Sequence, residues 1–335
     1  MKDRKSKSHR HHKNAKRKQV YIWGFMIGIL VALCVGIVWK ERSWNKPVPE
    51  SPEQEEETVS GKPAYNDHLS NYLFLGIDTR NPVETYETQA DAGQADAIFL
   101  VSLDRVTKDI QVLAIPRDTI AEIETFTPAG KSLGKVKQHI NIQYAFGDGR
   151  FKSCDLMKQA VSKLLYNLPI QGYCSLNMDG IPLLADLAGG VEVTVPDESL
   201  AEVNPEFQEG ALVTLTSDNV EQFLRYRDRT TSQSALVRQE HQRIFLKAYL
   251  EKAREMQKQN KSFVQEMYQT LQPYMVTNMG NDLFVKLLEA SEQTIPQEFT
   301  LPGEGAEGDD GYEEYHVDEE ALHNLVLQMF YKQDS

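Results

Sequence analysis

Three short apolar segments in the first half of the chain each begin or end at an acidic residue or an arginine. Residues 71–76, 96–103 and 110–116 are dominated by aliphatic and aromatic side chains, a composition typical of buried strands. GIDTR closes the first segment, ADA opens the second and PRD closes the third. Because a sheet projects the side chains at its strand ends into a shared crevice, this pattern predicts a polar site at one edge of a buried sheet.

Helical periodicity dominates the rest of the chain. Two further strands are predicted at 171–178 and 191–195. Six predicted helices lie near 153–167, 179–187, 217–225, 234–258, 261–271 and 281–290. Charge-poor strands followed by helices predict an α/β fold in which helices cover both faces of a mixed β-sheet, an α-β-α sandwich. The sequence contains no glycine-rich nucleotide-binding loop of either common type.

Residues 20–39 are uncharged and almost wholly apolar, and as a helix they are long enough to cross a bilayer. Residues 1–19 carry nine Lys or Arg against one Asp, which predicts a cytoplasmic N-terminus and an extracytoplasmic remainder. A cleaved signal peptide is the alternative, but the apolar stretch is long and no Ala-x-Ala spacing follows it. We therefore expect a single-pass protein of the cell membrane.

The segments after the predicted membrane span differ in composition. Residues 40–68 are rich in proline and glutamate and are predicted to be a linker, and residues 69–296 have enough apolar periodicity for one catalytic domain. Residues 297–335 are predicted to form a Gly-rich acidic loop, mobile over 302–314, followed by a helix over 317–331. Residues 41–335 carry 26 basic and 48 acidic residues, a net charge of about −22 that argues against nucleic acid as a partner.

The residue types at the predicted strand ends suit a metal pyrophosphate. Two carboxylates, Asp78 and Asp96, suit a hard divalent cation, and the forked guanidinium of Arg117 suits paired phosphate oxygens. Arg225 and Arg227 follow a predicted helix at a spacing that suits an extended segment, where both side chains can point the same way. The alternative is that each residue is a turn, cap or surface ion-pair residue.

Seven segments in order resemble those of the LytR-CpsA-Psr family of envelope proteins. They lie within residues 70–255 and read GIDTR, ADAI, IPRDT, HINIQYAFGDG, DLAGGVEVTVPD, FLRYRDR and VRQEHQR. The resemblance implies a membrane-anchored phosphotransferase that takes a glycopolymer from an undecaprenyl-pyrophosphate carrier. The polymer would be joined to a peptidoglycan hydroxyl by a phosphodiester.

The resemblance also implies a role for each residue of the predicted site. Asp78 and Asp96 would bind Mg²⁺ and belong to the catalytic set. The other catalytic residues would be Arg117, Arg225 and Arg227, and the substrate-binding residues would be Arg80, Arg238 and Gln239. The chain departs from the family pattern at Ala235, where an arginine is usual, which puts the details of donor recognition in doubt.

Three questions stay open at this point. A hydrolase that passes the polymer to water would use the same metal and arginines, and a non-catalytic envelope scaffold would use the acids and arginines only as ion pairs. The polymer and the accepting sugar are not readable from the fold class. Cys154 and Cys174 lie twenty positions apart in a predicted helix and the next predicted strand, so a disulfide between them is geometrically reasonable.

Overall fold

The structure is a computed structural model, and it describes residues 64–86, 92–127, 129–226, 234–293, 296–308 and 311–332. The predicted basic tail, the predicted membrane span at 20–39 and nearly all of the predicted linker lie outside these residues. Among the described helices, none combines the length and the apolar character that crossing a membrane requires.

The described residues form twelve strands and seven α-helices. The strands are β1 (Leu69–Ile77), β2 (Ala95–Asp104), β3 (Ile110–Ile115), β4 (Ile120–Phe126), β5 (Ser132–His139), β6 (Gly172–Asn177), β7 (Val191–Thr194), β8 (Leu212–Leu215), β9 (Met275–Thr277), β10 (Gln297–Thr300), β11 (Gly303–Glu307) and β12 (Glu313–Val317). The helices are α1 (Phe151–Leu164), α2 (Gly180–Leu187), α3 (Val220–Arg225), α4 (Ser234–Gln259), α5 (Phe263–Leu271), α6 (Asn281–Gln293) and α7 (Glu319–Phe330). Short 3₁₀ helices span Ile140–Phe146, Glu198–Glu202 and Gln272–Tyr274.

Six strands form one mixed central sheet in the order β10-β3-β2-β1-β6-β9. Strand β1 is antiparallel to β2 and parallel to β6, so its carboxyl end lies beside the carboxyl end of β6 and the amino end of β2. Three two-stranded sheets, β4-β5, β7-β8 and β11-β12, lie outside the central one. The predicted mixed sheet is therefore confirmed, and its central strands bring the GIDTR and ADA segments to the same edge.

Each face of the central sheet is covered by its own hydrophobic core. Side chains alternate along β1, so Phe74 packs into one core while Leu73 and Leu75 pack into the other. Helices α2 to α6 contribute buried residues to the first core, and α1 and α7 contribute to the second. Helices on both faces make the predicted α-β-α sandwich.

The segment before the last helix differs from the prediction. The segment expected to be a mobile loop at 302–314 instead contributes to the antiparallel hairpin β11-β12. Its second strand is held against the chain after Arg117, because Tyr315 N donates to Asp118 O at 2.9 Å and pairs with Thr119 in a parallel bridge. A Gly-rich acidic composition does not predict strands. The hairpin is instead held by backbone hydrogen bonds to a segment that is distant in the sequence.

The end of helix α7 returns to the start of the described chain. Tyr331 pairs with Tyr65 in an antiparallel bridge, and Lys332 N donates to Ala64 O at 2.9 Å. The helix also packs Leu322, Val326 and neighbouring residues into the second core. Helix α7, which lies within the helix predicted over 317–331, is thus docked on the domain.

Cys154 and Cys174 do not meet. Cys154, on α1, is buried in the second core, and Cys174, on β6, is buried in the first core on the opposite face of the sheet. Neither forms a disulfide in the structure. The disulfide considered from their spacing is therefore wrong, because the side chains of α1 and of Cys174 are separated by the sheet itself.

We expect both thiols to resist alkylation in the folded protein and to react after unfolding, because both are fully buried. A reducing agent should leave the unfolding midpoint unchanged. The measurement is labelling with iodoacetamide before and after denaturant, read by mass spectrometry. A cross-linked peptide that contains Cys154 and Cys174 would contradict the structure.

Candidate active site

A β-bulge in strand β2 sets the position of Asp96. Along the β1-β2 ladder, Gly76 pairs with Ala97 and Ile77 pairs with Ala95, so Asp96 is the extra residue of β2. A bulge leaves its extra residue unpaired and redirects its side chain, and bulges are frequent beside active sites. The sequence predicted Asp96 at the start of this strand but gave no sign of the bulge that aims its side chain.

Asp96 forms a buried ion pair with Arg117. Arg117 follows β3 directly after Pro116, and its Nη1 donates to Asp96 Oδ1 at 2.6 Å. The side chains are 3% exposed for Asp96 and 12% for Arg117. Arg117 Nε also lies 3.4 Å from Asp118 Oδ2, so one guanidinium joins two carboxylates.

Burial raises the pKa of Asp96 to about 7, even though the charge of Arg117 acts in the opposite direction. The negative charge of Asp78 also raises this pKa, which shows that the two carboxylates lie close enough to interact. The second oxygen of Asp96, Oδ2, is buried and has no hydrogen-bond partner. Asp96 thus holds an acceptor that the folded chain itself does not satisfy.

Asp78 lies immediately after β1 and is held by the loop that leads into β2. Gln94 N donates to Asp78 Oδ1 at 2.6 Å, and Asp78 N donates to Gln94 O at 3.1 Å. Gly93 precedes this contact with φ of +78°, and a Cβ at this position would lie 2.9 Å from Asp78 Oδ1 and would also collide with Thr79. A left-handed residue without a side chain is therefore required for this loop to enclose Asp78.

The carboxylates of Asp78 and Asp96 fit a hard divalent cation. Within the described residues, no group of three or more His, Cys, Asp or Glu side chains is arranged to hold a metal ion. Mg²⁺ commonly takes only one or two carboxylates and completes its coordination with phosphate oxygens and water. The unsatisfied Oδ2 of Asp96 is the observation that favours a cation here, because a buried acceptor without a partner is costly.

Two more of the predicted arginines converge on a single glutamate. Arg80 Nη2 donates to Glu221 Oε2 at 2.9 Å, and Arg225 Nη1 donates to the same oxygen at 2.8 Å. Arg80 Nη1 also donates to Asp179 Oδ1 at 3.1 Å, beyond the end of β6. Burial tends to raise the pKa of Glu221, but the hydrogen bonds from Arg80 and Arg225 outweigh it and the pKa is lowered. Glu221 therefore stays ionised and holds the two guanidinium groups side by side.

The segment that carries Asp78 and Arg80 is docked on the end of β6. Met178 N donates to Thr79 O at 3.2 Å, and Asn177 Nδ2 donates to Asn81 O at 3.0 Å. Asn81 has φ of +73°, a left-handed conformation that asparagine tolerates better than most residues. This docking links the Asp96–Arg117 pair to the Arg80–Glu221–Arg225 cluster through one short stretch of chain.

Three predicted residues cannot be placed as side chains. Arg227 lies outside the described residues. The backbone of Arg238 and Gln239 belongs to helix α4, as does that of Ala235, but their side chains lie outside the described part of the structure. Arg225 is the last residue of α3 rather than part of an extended segment, and Tyr226 is the C-cap of that helix.

Sequence reasoning missed four polar residues that hold the site together. The backbone N–H of Gln94 holds Asp78, the side chain of Asn141 bonds the side chain of Gln94, and Asp179 and Glu221 pair with Arg80. Asn141 lies within the HINIQYAFGDG segment, so its neighbourhood was recognised, although its role was not. Gln94, Asp179 and Glu221 carry no local sequence signal of a role in the site. Asp179 and Glu221 act through Arg80, which lies 99 and 141 positions earlier in the chain.

A buried histidine connects α4 to the chain after β7. His241 is completely buried, its Nε2 lies 2.7 Å from Asp197 Oδ2, and its Nδ1 has no partner. Asp197 Oδ1 also accepts from Ser199 N at 3.0 Å at the start of a 3₁₀ helix. The His241 ring packs against Phe223 of α3, with ring centroids 5.5 Å apart. The helix that carries Arg238 and Gln239 and the helix that ends at Arg225 are thus fixed through one residue.

These features define a mixed α/β protein with a carboxylate and arginine site at the strand ends of its central sheet. Comparison with known proteins gives a more specific assignment. The model of the LytR_cpsA_psr family matches residues 38–330. The chain belongs to this family, and the resemblance noted from its sequence motifs is confirmed.

Individual relatives agree with this assignment. The chain is 26% identical over 325 residues to the polyisoprenyl-teichoic acid–peptidoglycan teichoic acid transferase TagU of Bacillus cereus, which covers 93% of this chain and 97% of that protein. The crystal structure of B. subtilis TagV shares the fold at a TM-score of 0.57 and 22% identity, covering 78% of this chain and 97% of that one. TagT bound to LIIa-WTA matches at a TM-score of 0.53 and 20% identity, covering 78% of this chain and 90% of that chain.

Proposed function

We propose that this protein transfers a glycopolymer from an undecaprenyl-pyrophosphate carrier to a hydroxyl group of peptidoglycan, forming a phosphodiester. The observation that carries the proposal is the buried Asp96–Arg117 pair beside Asp78, a site suited to pyrophosphate oxygens. Support comes from the family and from the name of the TagU relative, which specifies a polyisoprenyl-linked polymer as donor and peptidoglycan as acceptor.

The described residues divide the chemistry between them. The guanidinium of Arg117 is fixed by Asp96 and Asp118, and in this proposal it stabilises the charge that develops on the transferred phosphoryl group. Arg80 and Arg225 form a second cationic pair for the same pyrophosphate, and their shared contact with Glu221 keeps them together. Asp78 and Asp96 would hold Mg²⁺, which would supply positive charge to the leaving polyprenyl phosphate. Arg227, Arg238 and Gln239 are proposed as further phosphate contacts by family position.

We further propose that the protein is anchored in the cell membrane by residues 20–39, with residues 1–19 in the cytoplasm and the site outside. The basic tail and the apolar segment support this orientation. A lipid-linked donor enters the site from the bilayer, so an anchored enzyme meets its donor without leaving the surface.

The test is a transfer assay with the full-length protein in detergent. It is incubated with a short polyprenyl-pyrophosphoryl glycan and peptidoglycan fragments, with Mg²⁺ or with a chelator. We expect Mg²⁺-dependent appearance of glycan on the peptidoglycan fragment, lost in Arg117→Ala. The matched control is Arg105→Ala, because Arg105 bonds the backbone of Asp67 and His68 away from the site.

The same assay separates the alternatives. Free phosphorylated glycan without transfer would indicate a pyrophosphate hydrolase. If the protein neither binds nor turns over an authentic donor, the remaining alternative is a non-catalytic scaffold. Transfer that is equally fast with a chelator would refute the proposed role of Mg²⁺ while leaving the transferase intact.

We expect Gly93→Ala to lower the transfer rate by roughly 10²-fold, because the new Cβ would displace Asp78 from its contact with Gln94. Gly189→Ala is the matched control, since Gly189 also has a left-handed φ of +72° but nothing within 4 Å of the added Cβ. Both variants should lose about 1 kcal/mol of stability from the backbone conformation alone. Initial rates at saturating donor provide the measurement, and equal rates in the two variants would contradict the argument.

A further inference from the structure

Two polar oxygens in the neighbourhood of the site are buried without a hydrogen-bond partner. One is Oδ2 of Asp96, described above, and the other is Oδ1 of Asn141. Asn141 is 4% exposed and Asp96 is 2% exposed. Most buried polar atoms in native proteins are satisfied, so two unsatisfied acceptors in one cluster indicate a missing partner that carries positive charge or donates hydrogen bonds.

Asn141 is connected to both metal-binding candidates. Its Nδ2 donates to Gln94 Oε1 at 3.0 Å, and Gln94 in turn holds Asp78. Its backbone N donates to the carbonyl oxygen of Arg117 at 3.2 Å, and Arg117 holds Asp96. Asn141 therefore lies between the two carboxylates in the network, at the start of the 3₁₀ helix Ile140–Phe146.

We propose that Asn141 supplies a third protein oxygen, Oδ1, to the divalent cation held by Asp78 and Asp96. The inference rests on the proposed function in that it assumes a cation at this site. Amide carbonyl oxygens are hard ligands for Mg²⁺ and related ions. The hydrogen bond from Nδ2 to Gln94 fixes the amide so that its oxygen points away from Gln94.

A neutral oxygen is the appropriate third ligand here. Asp78 already raises the pKa of Asp96 by its charge, so a third carboxylate would add repulsion in the absence of the cation. The amide adds coordination without adding charge. With three protein oxygens, the remaining positions of an octahedral ion are left for pyrophosphate oxygens and water.

The experiment measures cation binding rather than turnover. Mn²⁺, a paramagnetic substitute for Mg²⁺, is titrated into metal-free full-length protein, and free Mn²⁺ is counted by its electron paramagnetic resonance signal. Competition by Mg²⁺ and loss of binding in Asp96→Asn assign the signal to this site. We expect Asn141→Leu, which removes the oxygen at similar volume, to weaken binding by about tenfold.

Two further variants separate ligation from indirect positioning. Asn141→Asp keeps an oxygen but lacks the amide N–H that bonds Gln94, and it should bind Mn²⁺ at least as tightly as the wild type. Gln94→Leu removes the partner of that N–H and leaves the oxygen, and its Mn²⁺ affinity should change by less than about threefold. If Asn141 acted only by positioning Gln94, both variants would bind Mn²⁺ weakly.

The outcomes distinguish this inference from the proposed function. Wild-type Mn²⁺ affinity in Asn141→Leu would overturn the role of Asn141 while leaving a two-carboxylate site. If the wild-type protein binds no Mn²⁺, or if Asp96→Asn binds Mn²⁺ as tightly as the wild type, both the inference and the proposed metal are overturned. If Asn141→Leu fails to fold by circular dichroism, Asn141→Ala and Asn141→Ser take its place with the same expected loss.

Discussion

Asp96→Asn is expected to reduce polymer transfer by about 10³-fold and, at the same time, to raise the melting temperature of the metal-free protein. The loss of transfer follows because the variant lacks a proposed metal ligand and changes the partner that holds Arg117. Few substitutions in a folded domain lower activity while they raise stability. Those that do so mark sites where a charge is kept at a cost to the fold.

The gain in stability has an electrostatic origin. Asp96 is almost fully buried, and its carboxylate is disfavoured by burial and by the nearby charge of Asp78. Asparagine has nearly the same shape and can still accept the hydrogen bond from Arg117, whose charge keeps its contact with Asp118, but it carries no charge to desolvate. Because the pKa of Asp96 is raised in the folded state, its ionisation costs stability at neutral pH, and we expect the variant to gain about 1 to 3 kcal/mol, or several degrees in melting temperature for a domain of this size.

The measurement combines thermal unfolding in the presence of a chelator with the transfer assay. Asp104→Asn is the control, because Asp104 lies at the other end of the same strand, where it caps the turn at Val106 and Thr107 and accepts from Asn66 Nδ2. Asp104→Asn should change transfer by less than about twofold, since asparagine also accepts backbone hydrogen bonds in turns. An Asp96→Asn protein that is both inactive and clearly less stable would show that the Asp96–Arg117 pair is primarily structural.

Asp197→Ala is expected to cost about 2 to 3 kcal/mol of unfolding free energy at neutral pH. The substitution leaves a completely buried His241 with both ring nitrogens unpaired, and it removes the hydrogen bond to Ser199 at the start of a 3₁₀ helix. Asp197→Asn should lose less, because its oxygen can still accept from Ser199 N while its amide nitrogen can donate to His241 Nε2 in the other imidazole tautomer. Chemical denaturation of the three proteins gives the comparison.

The loss should depend on pH in a defined direction. Burial tends to raise the pKa of Asp197, but hydrogen bonds from Ser199 and His241 outweigh it and hold the pKa below the ordinary value of 3.8. A lowered carboxyl pKa contributes stability that is present above pH 3.8 and is lost as the pH falls through the lower pKa of the folded state. The difference between wild type and Asp197→Ala should therefore shrink in strongly acidic solution.

A control separates this buried pair from ordinary helix capping. Asp318 caps helix α7 through Ala321 N at 3.0 Å, and no buried partner depends on it. Asp318→Ala should cost only about 1 kcal/mol. Equal losses in Asp318→Ala and Asp197→Ala would mean that the contact with His241 adds nothing to stability.

The sequence was most informative where local pattern and residue chemistry agree. The strands that end near Asp78 and begin at Asp96 were predicted from their apolar composition, and the helices from their periodicity. The edge strands β9 and β10 were missed because each has only three or four residues. The hairpin β11-β12 was missed because its composition is that of a loop, whereas its position depends on a bridge to Thr119.

The site was predictable in its charged residues and not in their arrangement. Asp96 and Arg117 were recognised as ligands, but their direct pairing depends on a bulge that only the β1-β2 register reveals. Glu221 lay unnoticed in a predicted helix, because nothing in its local sequence indicates that Arg80, 141 positions earlier, contacts it. Likewise, the disulfide considered for Cys154 and Cys174 is excluded only by the structure, which places the two side chains on opposite faces of the sheet.

The pairing of Tyr65 with Tyr331 determines how the domain would respond to mechanical load. Because the two segments run antiparallel, a force that draws the chain before Ala64 away from the chain after Lys332 meets their hydrogen bonds one at a time, beginning with Lys332 N to Ala64 O. Peeling of this kind resists less force than shearing, in which all the bonds of a pair are strained together. Tension between these two ends would therefore detach the segment after helix α7 first, while the central sheet that carries Asp78 and Asp96 remains intact.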